Sequence, residues 1–222
     1  MRTPATLALA AASLAVMLSL GDWRAAGAAP AAAEEPLFAH IRLDAREYSL
    51  GRSDAPLTLL EFTDYQCPYC RRFQAETFPL LKKNWIDTGK LRFIVRDLPL
   101  QFHSAARPAA QAAHCAGEQG KFWEMHQALL SGADPLTDGG IERRAQALGL
   151  DTARLHACTS ANRYESAIAR NIAAADALDI HGTPSFVIGR VVHGALEGQL
   201  VGGAQPYDEF DAALKQLLPA KN

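Results

Sequence analysis

The sequence is poor in most of the features that mark a specialised class of protein. Charge of one sign is not in excess, with 22 basic against 24 acidic side chains, which excludes the electrostatic footprint of a nucleic-acid binder and any long like-charged tail. Cysteine is scarce. Four in 222 residues are too few for a miniature scaffold stapled by disulfides. The seven histidines never recur at the His-x3–5-His spacing of a zinc site, and no segment repeats. Beyond the N-terminal region, no apolar run approaches the ~20 residues that cross a bilayer. What remains is a chain long enough to bury its own core, so its function must be sought in local chemistry.

The N-terminus has the three parts of a secretory signal peptide. Arg2 supplies the positive charge, Ala5 to Leu20 is an almost unbroken apolar stretch, and Ala26-Gly27-Ala28 offers small residues for cleavage. A retained membrane anchor is the alternative, but the stretch is about 16 residues, short of a span. Residues 1–28 are therefore read as a removable leader, and all four cysteines stay in the exported part. Export places them in a compartment that permits disulfides.

Within residues 29–49, Ala29 to Pro36 is an Ala/Pro/Glu-rich leader and Ile41 to Leu50 could hold a short first strand. Leu57-Thr58-Leu59-Leu60-Glu61-Phe62-Thr63 reads as a strand entered through Ser53-Asp54-Ala55-Pro56. The apolar positions Phe73, Phe78, Leu81 and Trp85 then follow a helical spacing up to Thr88-Gly89, with a kink expected at Pro79. Leu91 to Asp97 is a second strand, so the order is that of a βαβ unit. Residues 101–177 turn Ala-rich and helical, with breaks at Gly117 to Gly120, Ser131 to Asp134, Asp138 to Gly140 and Gly149 to Asp151; three or four helices fit there. Strand character returns at Ser185 to Gly189 and around Leu200 to Gly202, and a helix from about Pro206 to Leu218 closes the chain. The fold class is α/β: a sheet domain from residues 50–100 and 178–222, interrupted by an α-helical insertion over 101–177.

The reactive chemistry lies at the junction of the first strand and helix, in Cys67-Pro68-Tyr69-Cys70. Pro68 suits the first helical position, where its missing N–H costs nothing. Cys67 then sits at a helix N-terminus, and the free amides and dipole there favour a thiolate. Such a cysteine is both a nucleophile and a good leaving group in thiol–disulfide exchange. Cys70, one turn on, is placed to resolve a mixed disulfide. Zinc or copper would need two further ligands at compact spacing, which Cys115 and Cys158 do not provide; no metal and no cofactor are expected. Glu61 precedes Cys67 by six residues on a strand expected to be central. A carboxyl buried there would have a raised pKa and could carry a proton to or from Cys70; at a sheet edge it would simply be solvated. Pro184, in Gly182-Thr183-Pro184-Ser185-Phe186, stands immediately before a strand.

Taken together, the leader, Glu61-Phe62-Thr63-Asp64-Tyr65-Gln66-Cys67-Pro68-Tyr69-Cys70, the helical insertion with Gly117-Glu118-Gln119-Gly120-Lys121-Phe122-Trp123, and the Thr183-Pro184 loop resemble the DsbA-like family of exported bacterial thiol-disulfide oxidoreductases. The likeness runs from about Leu50 to Leu218. It implies a thioredoxin-like fold with an inserted helical domain, Cys67 attacking and Cys70 resolving, and Glu61 as the buried acid. It also implies a cis Thr183–Pro184 bond whose backbone pairs with an extended substrate. The implied partners are exported proteins with cysteines and a membrane redox partner, in the periplasm, and no nucleic acid. One departure is Tyr69, where the strongest oxidants of this kind carry histidine. Two alternatives follow: a disulfide isomerase or reductase, and a non-catalytic metal- or peptide-binding module on the same scaffold. Cytosolic glutaredoxins share Cys-Pro-Tyr-Cys but lack the leader and the length.

Cys115 and Cys158 both fall in the insertion. They are either a structural disulfide, favoured by export and found in some relatives, or two buried thiols packed as small hydrophobes. Most of His103, His114, His126, His156, His181 and His193 are expected at surfaces or interfaces, with His181 near enough to the Thr183 loop to modulate the Cys67 thiolate. Arg71-Arg72 either add positive potential beside Cys67 or form a solvated helix face. Phe122, Trp123, Trp85 and Phe210 are expected in the core.

Overall fold

Strand β3 (Leu57–Thr63) is buried at all seven positions, as its apolar run requires when both faces of a sheet are covered. Around it the computed structural model, which describes residues 38–44 and 47–218, builds a six-stranded mixed sheet in the order β1 (Phe38–Arg42), β6 (Ala195–Gly202), β5 (Ser185–Val192), β3, β4 (Leu91–Asp97), β2 (Ser49–Leu50). The expected signal peptide over 1–28 and the leader that follows it lie outside the described residues.

Strand β4 (Leu91–Asp97) runs parallel to β3, with Leu57 opposite Leu91 and Glu61 opposite Val95. The connection between them is the helical stretch after the cysteines, so the βαβ unit is present. β5 (Ser185–Val192) and β6 (Ala195–Gly202) form an antiparallel hairpin against the other side of β3. Both are longer than the sequence suggested. β1 (Phe38–Arg42) pairs with β6, and the two-residue β2 (Ser49–Leu50) pairs with β4, both antiparallel.

Strand alternation divides the core. Leu57, Leu59, Phe93, Phe186 and Ile188 face Phe73, Phe78, Leu81, Trp85 and the closing helix α8 (Tyr207–Leu217) through Phe210 and Leu214. Leu60, Phe62, Ile94 and Val187 face the opposite layer, which holds Ala175 of α7 (Glu165–Asp176) and Ile180. The helix after the cysteines is not a plain α-helix. α1 (Pro68–Arg72) and α2 (Phe78–Leu81) are separated by a π-helical turn at Phe73–Thr77, and a second follows at Lys82–Ile86. Pro79 is the physical reason for the first: without an N–H it cannot continue the α ladder, and Phe78 N bonds to Phe73 O instead.

Between β4 and β5 lie α3 (Ala106–Gly117), α4 (Phe122–Leu130), α5 (Asp138–Ala147), α6 (Thr152–Ser160) and α7. That is five helices where three or four were expected. The missed break is at Asn162, whose backbone turns left-handed at φ 47° and ends α6 without glycine or proline. α3 to α6 share an apolar cluster with Tyr65, Cys67 and Cys70. The insertion therefore packs directly onto the reactive end of the sheet. Glu47 with Arg96, a pair in which both side chains are almost fully buried, and Tyr48, stacked on Phe122 at 3.6 Å between ring centres, tie the segment before β2 to both layers.

Candidate active site

Cys67 caps the N-terminus of α1 in an extended conformation, with Pro68 at the first helical position. The backbone amides of Cys70 and Tyr69 favour its thiolate. Cys67 is 4% exposed and Cys70 is fully buried beneath it; both are free thiols. The Thr183–Pro184 bond is cis, and Cys67 Sγ lies 3.2 Å from the Thr183 carbonyl oxygen, to which it donates when protonated.

These surroundings drive the two sulfurs apart. The Cys67 pKa falls to about 5, mainly because the Cys70 thiol hydrogen-bonds to its thiolate, with the Thr183 hydroxyl and the amides of Cys70 and Tyr69 assisting against the opposing effect of burial. Cys70 is pushed strongly upward, first by burial, then by its bond to Cys67 and by the negative charges of Glu61 and Cys67. One sulfur is a thiolate at neutral pH and the other holds its proton.

Glu61 lies on β3 between Val95 and Phe186 and is completely buried, and neither carboxylate oxygen has a hydrogen bond of normal geometry. Burial lifts its pKa to about 8, with Cys67 adding a little and the Thr63 hydroxyl opposing. It is a neutral acid at pH 7, electrostatically coupled to both cysteines. The structure thus brings Glu61, Cys67, Cys70, Thr183 and Pro184 together. Cys115 and Cys158 are joined by a disulfide between α3 and α6.

Several residues that support the site escaped the sequence reading. Asp64, whose carboxylate is buried, accepts the amides of Gln66 (2.7 Å) and Cys67 (3.1 Å) on one oxygen. Its other oxygen takes the Leu100 amide and bonds to His103, both at 2.8 Å, while its own N–H donates to Cys70 Sγ at 3.4 Å. An Asp two and three residues before a tight turn is the one local signal that marks such a cap. His114 and His126 are buried. His126 is buried against the Tyr65 hydroxyl (3.0 Å), and burial lowers its pKa to about 4. His114 bonds to Asp97 at 2.7 Å. His181 is exposed and paired with Asp179 at 2.9 Å. Among the described residues no group of three or more His, Cys, Asp or Glu forms a metal site.

Fold and site together define a thioredoxin-fold protein with a Cys-x-x-Cys pair at the N-terminus of the first helix after its central strand. The family model described as thioredoxin matches residues 44–216, and the chain belongs to that family, among its DsbA-like members with a helical insertion. A thioredoxin-like oxidoreductase from Silicibacter pomeroyi is 32% identical, with a TM-score of 0.66 over 78% of this chain and 92% of that one. Pseudomonas aeruginosa DsbA2 is 28% identical, with a TM-score of 0.63 over 79% and 96%. Wolbachia pipientis alpha-DsbA1, at 24% identity, shares the fold with a TM-score of 0.70 over 79% and 92%. Among curated proteins, the Na(+)/H(+) antiporter NhaA 3 of Salinispora tropica is 40% identical over 151 residues, which are 67% of this chain and 22% of that protein. The chain spans about a quarter or less of the length of such relatives, so their name describes proteins of which it resembles one segment. No helix among the described residues is long and apolar enough to cross a membrane.

Proposed function

We propose that the protein is an exported, periplasmic thiol-disulfide oxidoreductase that forms or exchanges disulfides in other exported proteins through Cys67 and Cys70, and that a membrane redox partner reoxidises it. The observation that carries this reading is the split between a Cys67 thiolate with a pKa of about 5 and a proton-holding Cys70. A stabilised thiolate favours the reduced protein, which makes its disulfide an oxidant.

In the reaction, a substrate thiolate attacks Cys67 Sγ of the Cys67–Cys70 disulfide. The Cys67–Cys70 bond breaks as the mixed disulfide forms, and Cys70 leaves with the electron pair and takes the proton of Glu61. The second substrate thiol gives its proton to the Glu61 carboxylate, and its thiolate attacks the substrate sulfur of the mixed disulfide. Cys67 leaves as the thiolate. The substrate has lost two electrons and two protons; one proton ends on Cys70 and the other in solvent. Thr183 and Pro184 would present the backbone edge that an extended substrate pairs with.

Mixing the oxidised protein with a reduced, unfolded test protein is expected to regenerate the test protein's disulfides, and Cys67→Ala is expected to abolish this. Retained oxidation in that variant would refute the assignment. Tyr69, 55% exposed between the cysteines, favours a second reading as an isomerase or reductase, because it supplies no imidazole to the thiolate. Equilibration with glutathione separates the two: a potential near about −120 mV marks an oxidase, and one near about −270 mV a reductase.

A further inference from the structure

An open groove of about 810 Å³ begins at Pro68, beside the reactive sulfur, and runs along the helical stretch to Lys82. Its other wall is the end of α4, with Gln127, Ser131 and Gly132. The groove is basic. Arg71, Arg72 and Lys82 line it, against one acid, Glu76. Lys82 is paired with Asp87 at the surface. Arg72 is held in place, donating to the Ala204 carbonyl at 3.1 Å and lying 5.2 Å over the Tyr69 ring. Arg71 has no ion-pair partner among the described residues, and its guanidinium reaches across toward Gly132, where a Cβ would stand 3.4 Å away.

We infer that this groove receives the segment flanking the substrate's cysteine and selects segments that carry Asp or Glu. The inference rests on the redox reading above and names the substrate class for it. A cysteine that reaches Cys67 brings its neighbouring residues to Pro68, where the groove opens. From Pro68 to Lys82 is roughly 20 Å along the helical stretch, room for about six extended residues. A carboxylate there meets a guanidinium fork at Arg71 or Arg72. Exposed pairs of this kind are weak singly, but clustered cations steer an anionic segment and shorten the search for the reactive geometry.

The test uses two single-cysteine peptides that differ only in having three Glu or three Lys within six residues of the cysteine. The rate of mixed-disulfide formation with the oxidised protein is divided by the same peptide's rate with an uncharged small disulfide, which removes the effect of charge on the peptide thiol itself. The Glu peptide is expected to react about 5–10-fold faster at low ionic strength, with the ratio falling toward one at about 0.5 M salt. Arg71→Glu is expected to abolish or reverse the preference. Equal normalised rates, or a preference that Arg71→Glu leaves untouched, would overturn the inference. Should that variant not fold, Arg71→Gln is expected to reduce the preference, and no reduction there counts against it equally. If neither peptide nor a neutral small thiol reacts, the redox reading itself fails, an outcome distinct from equal rates.

Discussion

At the scale of single residues the site is a set of pKa values displaced by burial and by neighbouring dipoles, and each displacement sets a pH dependence. Cys67, lowered to about 5, is ionised in the reduced folded protein while an unfolded cysteine is not until about pH 8.5. Its contribution to reduced-state stability is fully present above the unfolded value and is lost as pH falls through 5. Denaturant titrations should therefore find the reduced protein gaining stability over the oxidised one between pH 5 and 8, and a flat difference would contradict the lowered pKa. Glu61 behaves in the opposite sense. Raised to about 8 from 4.5, it stays protonated in the fold while the unfolded chain ionises, so stability is full below pH 4.5 and falls up to pH 8. Integrated to pH 7 this is roughly 3 kcal/mol. Measured in the oxidised protein, where Cys67 does not titrate, this loss should be seen in the native sequence and vanish in Glu61→Gln. The same substitution should slow disulfide exchange about 10–100-fold at pH 7, since Cys70 then leaves without a proton donor.

At the scale of elements, the strand end, the cysteine turn and the loop after β4 are joined through Asp64. Its two oxygens divide the work: one takes the Gln66 and Cys67 amides, the other the Leu100 amide and His103. Asp64→Asn keeps an acceptor for the first set and turns an NH2 toward the second. Amide exchange should accelerate at least tenfold at Leu100 and much less at Cys67. Asp64→Ala strips both sets and should cost about 3–5 kcal/mol in denaturant unfolding, because buried donors are left unpaired. This clamp shows where the sequence was readable. Cys67, Pro68, Cys70 and Glu61 sit within one strand and one helix turn, so local spacing is enough to bring them near one another. Asp64 and His103 are 39 positions apart, and Tyr65 and His126 are 61 apart. No local period connects such pairs; they meet only because the insertion folds back over the end of the sheet. Asn162 was invisible for a different reason, since only its left-handed backbone, and not a glycine or proline, ends α6.

At the scale of the whole molecule, the inserted helices and the sheet share their core. Tyr65, Cys67 and Cys70 from the sheet's reactive end belong to the same apolar cluster as Met125, Leu129 and Ile168 of the insertion. Trp123 packs against that cluster and also against the one between the sheet and α8. Asp97 at the end of β4 holds His114 of α3, and Tyr48 stacks on Phe122. A structure joined at so many points is expected to unfold as one cooperative unit. The Cys115–Cys158 bridge closes a loop of 43 positions, and in the chain-entropy account such a link restricts the unfolded chain by about 4 kcal/mol. Replacing both cysteines by Ala should therefore lower the stability of the entire molecule by up to that amount, not of the insertion alone. With Trp23 and Trp85 replaced by Phe, the remaining Trp123 fluorescence reports the junction, and far-ultraviolet circular dichroism reports all helices and strands. The two unfolding curves are expected to coincide in the native protein and to move together in the double variant. If fluorescence changed at lower denaturant than circular dichroism, the insertion would be a separate unit. The buried environment of Cys70 and Glu61 would then be lost before the sheet unfolds, and the pH dependences argued above would no longer describe the working protein.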